Sequence, residues 1–173
     1  MKAFRLNYFL LGVYMLCAGV AFNQEDSVGI YVTPEHSDAD INLLTAPEGF
    51  VISEIFNGYI HYQSSTSIIM TMIDNVSYLD MERAMTEDYF TTNGMVFVKS
   101  EKITTNHDYG GLIYKSTFLL EDRSFVRYFA FIGSLNETLW LSITYPTQVE
   151  ELVEQEILKC IKSVNLKPVK DED

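Results

Sequence analysis

The stretch from Met95 to Tyr145 most limits what this chain can become. Four runs rich in aromatic and branched residues, MVFVKSEKIT, GLIYKSTFLL, SFVRYFAFI and TLWLSITY, are separated only by NHDYG, EDR and GSLNE. Parallel neighbours need a crossover of about a dozen residues or more, and these connections are far shorter. Consecutive antiparallel strands, a meander, are therefore predicted, with Gly, Asn, Asp and Ser supplying the turn conformations.

The flanking segments complete the outline. Pro47 and Gly49 mark a turn before FVISEIF, and Asn57-Gly58 separates that run from YIHYQ, the dipeptide favoured in tight hairpin turns. SIIMTMI (Ser67 to Ile73) reads as a further strand, apolar on both faces. In SYLDMERAMTEDYF the period changes: Tyr78, Met81, Met85 and Tyr89 recur at helical spacing. Ser77 with Asp80 suits a capping box and Gly94 a left-handed C-cap, so one amphipathic helix of about fourteen residues is predicted. After Pro146, TQVEELVEQEILKCIKSV keeps Val149, Leu152, Val153, Ile157, Cys160, Ile161 and Val164 on one face. Glutamates fill its early turns, where the helix dipole favours anions, and Thr147 with Glu150 repeats the capping-box pattern. Strands, one mid-chain helix, a meander and a C-terminal helix define an α+β domain.

The first residues are of another kind. Lys2 and Arg5 precede an uncharged apolar run, Tyr8 to Ala21, which is the order of an export signal with cleavage after Ala21. The run is shorter than the roughly 20 residues that span a bilayer, so no stable membrane insertion is expected once the signal is removed. Taking 21 of the 173 residues away leaves 152, enough for one core. Residues 22–40 then form an N-terminal segment in which VGIYV (Val28 to Val32) has the composition of a short strand and TPEHSDAD reads as a polar turn. Residues 41–166 form the domain, and 167–173 a charged tail.

With Lys2 and Arg5 gone, the formal charge moves from −12 to −14. An acid excess of that size repels phosphates and disfavours nucleic-acid partners. Cys17 lies in the signal and leaves Cys160 alone on an apolar helix face, where cysteine behaves as a small hydrophobe. No G-x-S-x-G elbow, H-E-x-x-H or C-x-x-C spacing, P-loop or Rossmann glycine pattern occurs, and no cofactor is implied. The metal-ligating candidates are His36, Asp38 and Asp40 in EHSDAD, with Glu35 beside them, and the pair His107–Asp108. EHSDAD lacks the central glycine and terminal glutamate of an EF-hand loop, so a solvated loop is the expectation. His61, between aromatics in YIHYQ, is expected in a strand.

APEGFVIS, GGLIYKSTF, FVRYFAFIGSLNETLWLSITYP and EELVEQEILKCIKSV, in that order, resemble the Mog1/PsbP-like superfamily, including its exported bacterial relatives of the DcrB and DUF1795 type. The resemblance covers Ile41 to Leu166. It implies an α/β/α sandwich around a central antiparallel sheet, and non-enzymatic work: binding another protein or supporting assembly of a complex, in the periplasm or outside the cell. The rival readings are a small-molecule or metal-binding enzyme whose site is assembled from dispersed residues, and an acidic immunity-type inhibitor.

One stretch bears on the partner. In TLWLSITYP, Leu139, Leu141, Ile143 and Tyr145 alternate with Thr138, Trp140, Ser142 and Thr144, so the only tryptophan shares a face with hydroxyl residues. Helices over both faces would bury Trp140, and exposure would make it an interface anchor. Thr138, Trp140, Ser142 and Thr144 are the candidate partner-binding residues.

Overall fold

In a computed structural model, which describes residues 35–167, the chain forms eight strands and three α-helices. In chain order they are β1 (Glu35–Asp38), β2 (Val51–Ile52), β3 (Gly58–His61), β4 (Thr66–Asp74), α1 (Met81–Ala84) and α2 (Glu87–Thr92). Then follow β5 (Met95–Thr104), β6 (Gly110–Leu120), β7 (Arg123–Gly133), β8 (Glu137–Pro146) and α3 (Glu150–Lys162), with single 3-10 turns at Ile41–Leu43 and Thr147–Val149. The expected signal, the Val28–Val32 strand and the tail beyond Lys167 lie outside the described residues.

The meander is present, with β5 to β8 paired consecutively and antiparallel. β8 then pairs with β4, giving the order β2-β3-β4-β8-β7-β6-β5, and β1 shares with β3 the remaining edge of β4. One face of the sheet carries Ile68, Met70, Tyr128, Ala130, Ile132, Leu139, Leu141, Ile143 and Tyr145, packed with Ile157, Cys160 and Ile161 of α3. On the other face Phe90 of α2 sits 6.2 Å from Phe129, 6.1 Å from Tyr114 and 5.3 Å from Phe97, ring centre to ring centre. Covering both faces accounts for the near-continuous apolar reading of β7, and each large side chain so buried contributes about 1.5–3 kcal/mol.

Five local expectations give way, four of them to side-chain chemistry. The predicted mid-chain helix is two short ones, because the Thr86 hydroxyl accepts from Tyr89 N–H at 3.2 Å and starts a second helix there. Ser77 instead closes a turn, its hydroxyl accepting from Leu79 N–H. Thr147 does not cap α3 either: its hydroxyl donates to Ser124, while Glu150 reaches into an ion pair with Lys115. That ion pair turns Glu150 and Glu154 toward the sheet, so Leu152, about 200° round the helix from Glu150, is exposed rather than part of the apolar face. Finally, EHSD is not turn but strand β1, in register with Thr71 to Asp74.

Asn57-Gly58 joins a hairpin, yet not as its tight turn. Asn57 Nδ2 donates to the carbonyls of Ala39 (2.8 Å) and Met70 (3.0 Å), and Gly58 is already the first residue of β3. The tight two-residue turn of the molecule is made by Glu121 and Asp122, at φ 48° and 63°, between the paired residues Leu120 and Arg123. Both sit in the left-handed region that this turn class requires.

Candidate functional site

Trp140 is 8% exposed, with its ring 6.0 Å from that of Phe131 and 6.3 Å from that of Phe129. Thr138 is buried and donates its hydroxyl to the Val76 carbonyl at 2.8 Å; Thr144 is buried and accepts from Arg127 Nε at 3.0 Å. Only Ser142 is half-buried. Trp140 is thus buried, the outcome expected of layers over both faces, and the four residues pack rather than form an open recognition patch.

The metal candidates are dispersed. Asp40 Oδ1 accepts from Asn42 N–H at 2.9 Å, which makes it the cap of the 3-10 turn. His36 and Asp38 belong to β1, whereas His107 and Asp108 form the β5–β6 turn, where Asp108 has φ 63°. Gly110, where β6 leaves that turn, stands in one row with Gly133, Thr138, Ile73 and His36. Four strand spacings separate the two ends of that row, about 19 Å. Among the described residues no three His, Cys, Asp or Glu side chains gather as a metal site needs.

Two arrangements escaped the sequence because they join residues by folding. His61 Nδ1 lies 2.6 Å from Ser64 Oγ, which lies 2.7 Å from Thr66 Oγ1. Such a pair invites comparison with a nucleophile and its base, but that chemistry also needs an acid to orient the ring. Here the imidazole stacks on Phe50 with centroids 5.2 Å apart, and Nε2 faces the Gly49 backbone. The contact fastens a turn.

The second arrangement is a partly buried ion cluster between sheet and helix. Lys115 of β6 pairs with Glu150 and, at 2.5 Å, with Glu154 of α3, and its Nζ lies 5.5 Å from the Tyr128 ring centre. The Tyr128 hydroxyl donates to Glu154. Burial alone would lower the Lys115 pKa, and the two carboxylates outweigh it and raise it. Hydrogen bonds from Lys115 and then Tyr128 hold the Glu154 carboxyl below its ordinary range. Tyr128 moves upward, first through burial and then through its bond to Glu154. Cys160 is also buried on α3, where desolvation pushes its thiol up to about 12, so it stays protonated and unreactive.

The fold leaves apolar side chains of the β2–β3 hairpin exposed, as it does Val96, Val98 and Leu119 elsewhere on the sheet. Successive strand residues point to opposite faces, yet Val51 (49%) and Ile52 (62%) are both exposed, so β2 projects beyond the layers on either side. Ile55 (50%) and Tyr62 (74%) join them. The hairpin is held by polar contacts at its root: Ser53 Oγ accepts from Ile55 N–H (3.1 Å) and Phe56 N–H (3.3 Å), and Met70 N–H donates to the Asn57 carbonyl at 2.9 Å. With Asn57, the Phe50–His61 stack and the Ser64–Thr66 contact, these fix the backbone without using the exposed apolar side chains. Large apolar side chains left in solvent on an ordered backbone are the usual means of protein binding.

The chain matches no family model and no curated protein. Two solved structures align with the chain. LpqN, involved in cell envelope biogenesis of Mycobacterium tuberculosis, aligns with a TM-score of 0.53 at 9% identity, over 78% of this chain and 84% of that one. A Pseudomonas aeruginosa protein of unknown function, PA94, aligns with a TM-score of 0.48 at 11% identity, over 80% and 87%. The likeness to LpqN is one of fold alone.

Proposed function

We propose that this is an exported accessory domain of the Mog1/PsbP kind, a helix–sheet–helix sandwich, that works by holding another protein of the cell envelope and not by catalysis. The observation that carries the reading is the β2–β3 hairpin, where four large apolar side chains stand in solvent on a backbone fixed by other contacts. Folding does not need them there, and large apolar groups exposed on a fixed backbone are what partner recognition uses. Export is supported by the Lys2 and Arg5 region followed by the uncharged run to Ala21. An acidic inhibitor of a basic toxin is a special case of the same reading, favoured by the absence of Lys and Arg from residues 6–82.

The test is comparative capture from native envelope extract. Wild type and Leu152→Asp, altered at an exposed position on α3, should retain the same protein, and Ile52→Asp should retain it at least about tenfold less, the loss of roughly 1.4 kcal/mol. Equal retention by all three chains, or none by wild type, contradicts the reading.

A further inference from the structure

Resting on the docking reading above, we infer that the hairpin receives a basic, apolar segment of its partner protein. The argument begins with where the charges fall. No Lys or Arg occurs between Arg5 and Arg83, and residues 39–82, which build β2, β3, β4 and their loops, carry Asp40, Glu48, Glu54, Asp74, Asp80 and Glu82. Asp80 and Glu82 are answered by Arg83 and Lys102 away from the hairpin. Glu48 and Glu54, which flank Val51, Ile52 and Ile55 in the chain, are exposed and in no ion pair among the described residues. The hairpin thus carries exposed apolar side chains flanked in the chain by charges of one sign.

Complementary rims steer encounter and reject partners of like charge. A second copy of this chain is disfavoured on that ground, since a two-fold contact across this edge would set Glu48 and Glu54 of one copy against those of the other. The other exposed apolar side chains of the sheet, Val96, Val98 and Leu119, are accompanied by Lys99, Glu101, Glu121 and Arg123, both signs together. They impose no such preference. Segments of mixed Lys or Arg and large apolar residues fit the β2–β3 edge on both counts.

The experiment titrates a short peptide of alternating Lys and Val into the full isotope-labelled chain and reads amide shifts by NMR, with Glu–Val and Lys–Ser peptides as counterparts. The Lys–Val peptide should shift residues within Val51–Tyr62, weaken as salt is raised, and bind at least about tenfold more tightly than either counterpart. In the double variant Glu48→Lys, Glu54→Lys the preference should pass to the Glu–Val peptide. Equal binding of Lys–Val and Glu–Val at the hairpin overturns the charge requirement while leaving the docking reading intact. Shifts elsewhere, no binding, or hairpin shifts that grow with protein concentration alone overturn the inference. Failure of the docking reading itself would show separately, as envelope capture indifferent to Ile52→Asp.

Discussion

Gly58 is where one residue decides the hairpin's position. Its φ is 145°, and a Cβ there would stand 1.9 Å from the Ile68 carbonyl oxygen, inside the sheet. Gly58→Ala is expected to cost about 3 kcal/mol, at the top of the usual range for a point substitution. Gly94→Ala, at φ 68° with open space around it, should cost only the left-handed penalty of roughly 1 kcal/mol. Urea unfolding of the two variants checks the ordering, and equal losses would mean that close backbone approach is not what Gly58 serves. Trp140 offers a second test at this scale, since it is the only tryptophan and is buried, as layers over both faces require, rather than the exposed anchor weighed against that reading. Native fluorescence should lie at short wavelength and resist iodide, moving to long wavelength only on unfolding; ready quenching in the native state would contradict the packing of Trp140 on Phe131.

At the scale of elements, α3 is latched to the sheet by Lys115, Glu150, Glu154 and Tyr128. The Glu154 pKa is depressed in the fold, so its stabilising contribution is present above the unfolded value near pH 4.3 and is lost as pH falls through the folded value. Lys115 and Tyr128 are raised, so theirs is complete below about pH 10 and is lost as pH climbs through the folded values. Glu154→Gln should lower stability at pH 7 by about 2 kcal/mol, less than for a fully buried pair because the carboxylate is partly solvated. It should also flatten the acid limb of a plot of urea midpoint against pH. An acid limb as steep as wild type would show that Glu154 does not carry it. The latch was not legible from the chain, because Lys115 read as one polar residue of a strand and the two glutamates as dipole-favouring residues of a helix. The places of these turns were legible but not their geometry: Asn57 spends its amide on two carbonyls, while Glu121 and Asp122, of ordinary composition, make the tight reversal. The meander and the terminal helix were legible because period and connection length admit few alternatives. The mid-chain helix was half legible, its apolar spacing running through a threonine that caps instead.

For the molecule as a whole, the sequence outlined an α+β chain on an antiparallel sheet, and the structure has one. The place where recognition could occur was not visible in it. Val51, Ile52, Ile55 and Tyr62 look like ordinary strand residues until strand order puts them at an edge that no helix covers. Composition gave the acid excess, and the stretch without Lys or Arg, residues 6–82, includes the strands of that edge. The direct test of docking there is site-specific photo-cross-linking in the native envelope, with the reactive group at position 52 or, in a parallel chain, at position 152 on α3. The account predicts one defined adduct from position 52, abolished by Glu48→Lys with Glu54→Lys, and none from position 152. No adduct from position 52, or the same adducts from both positions, would contradict it.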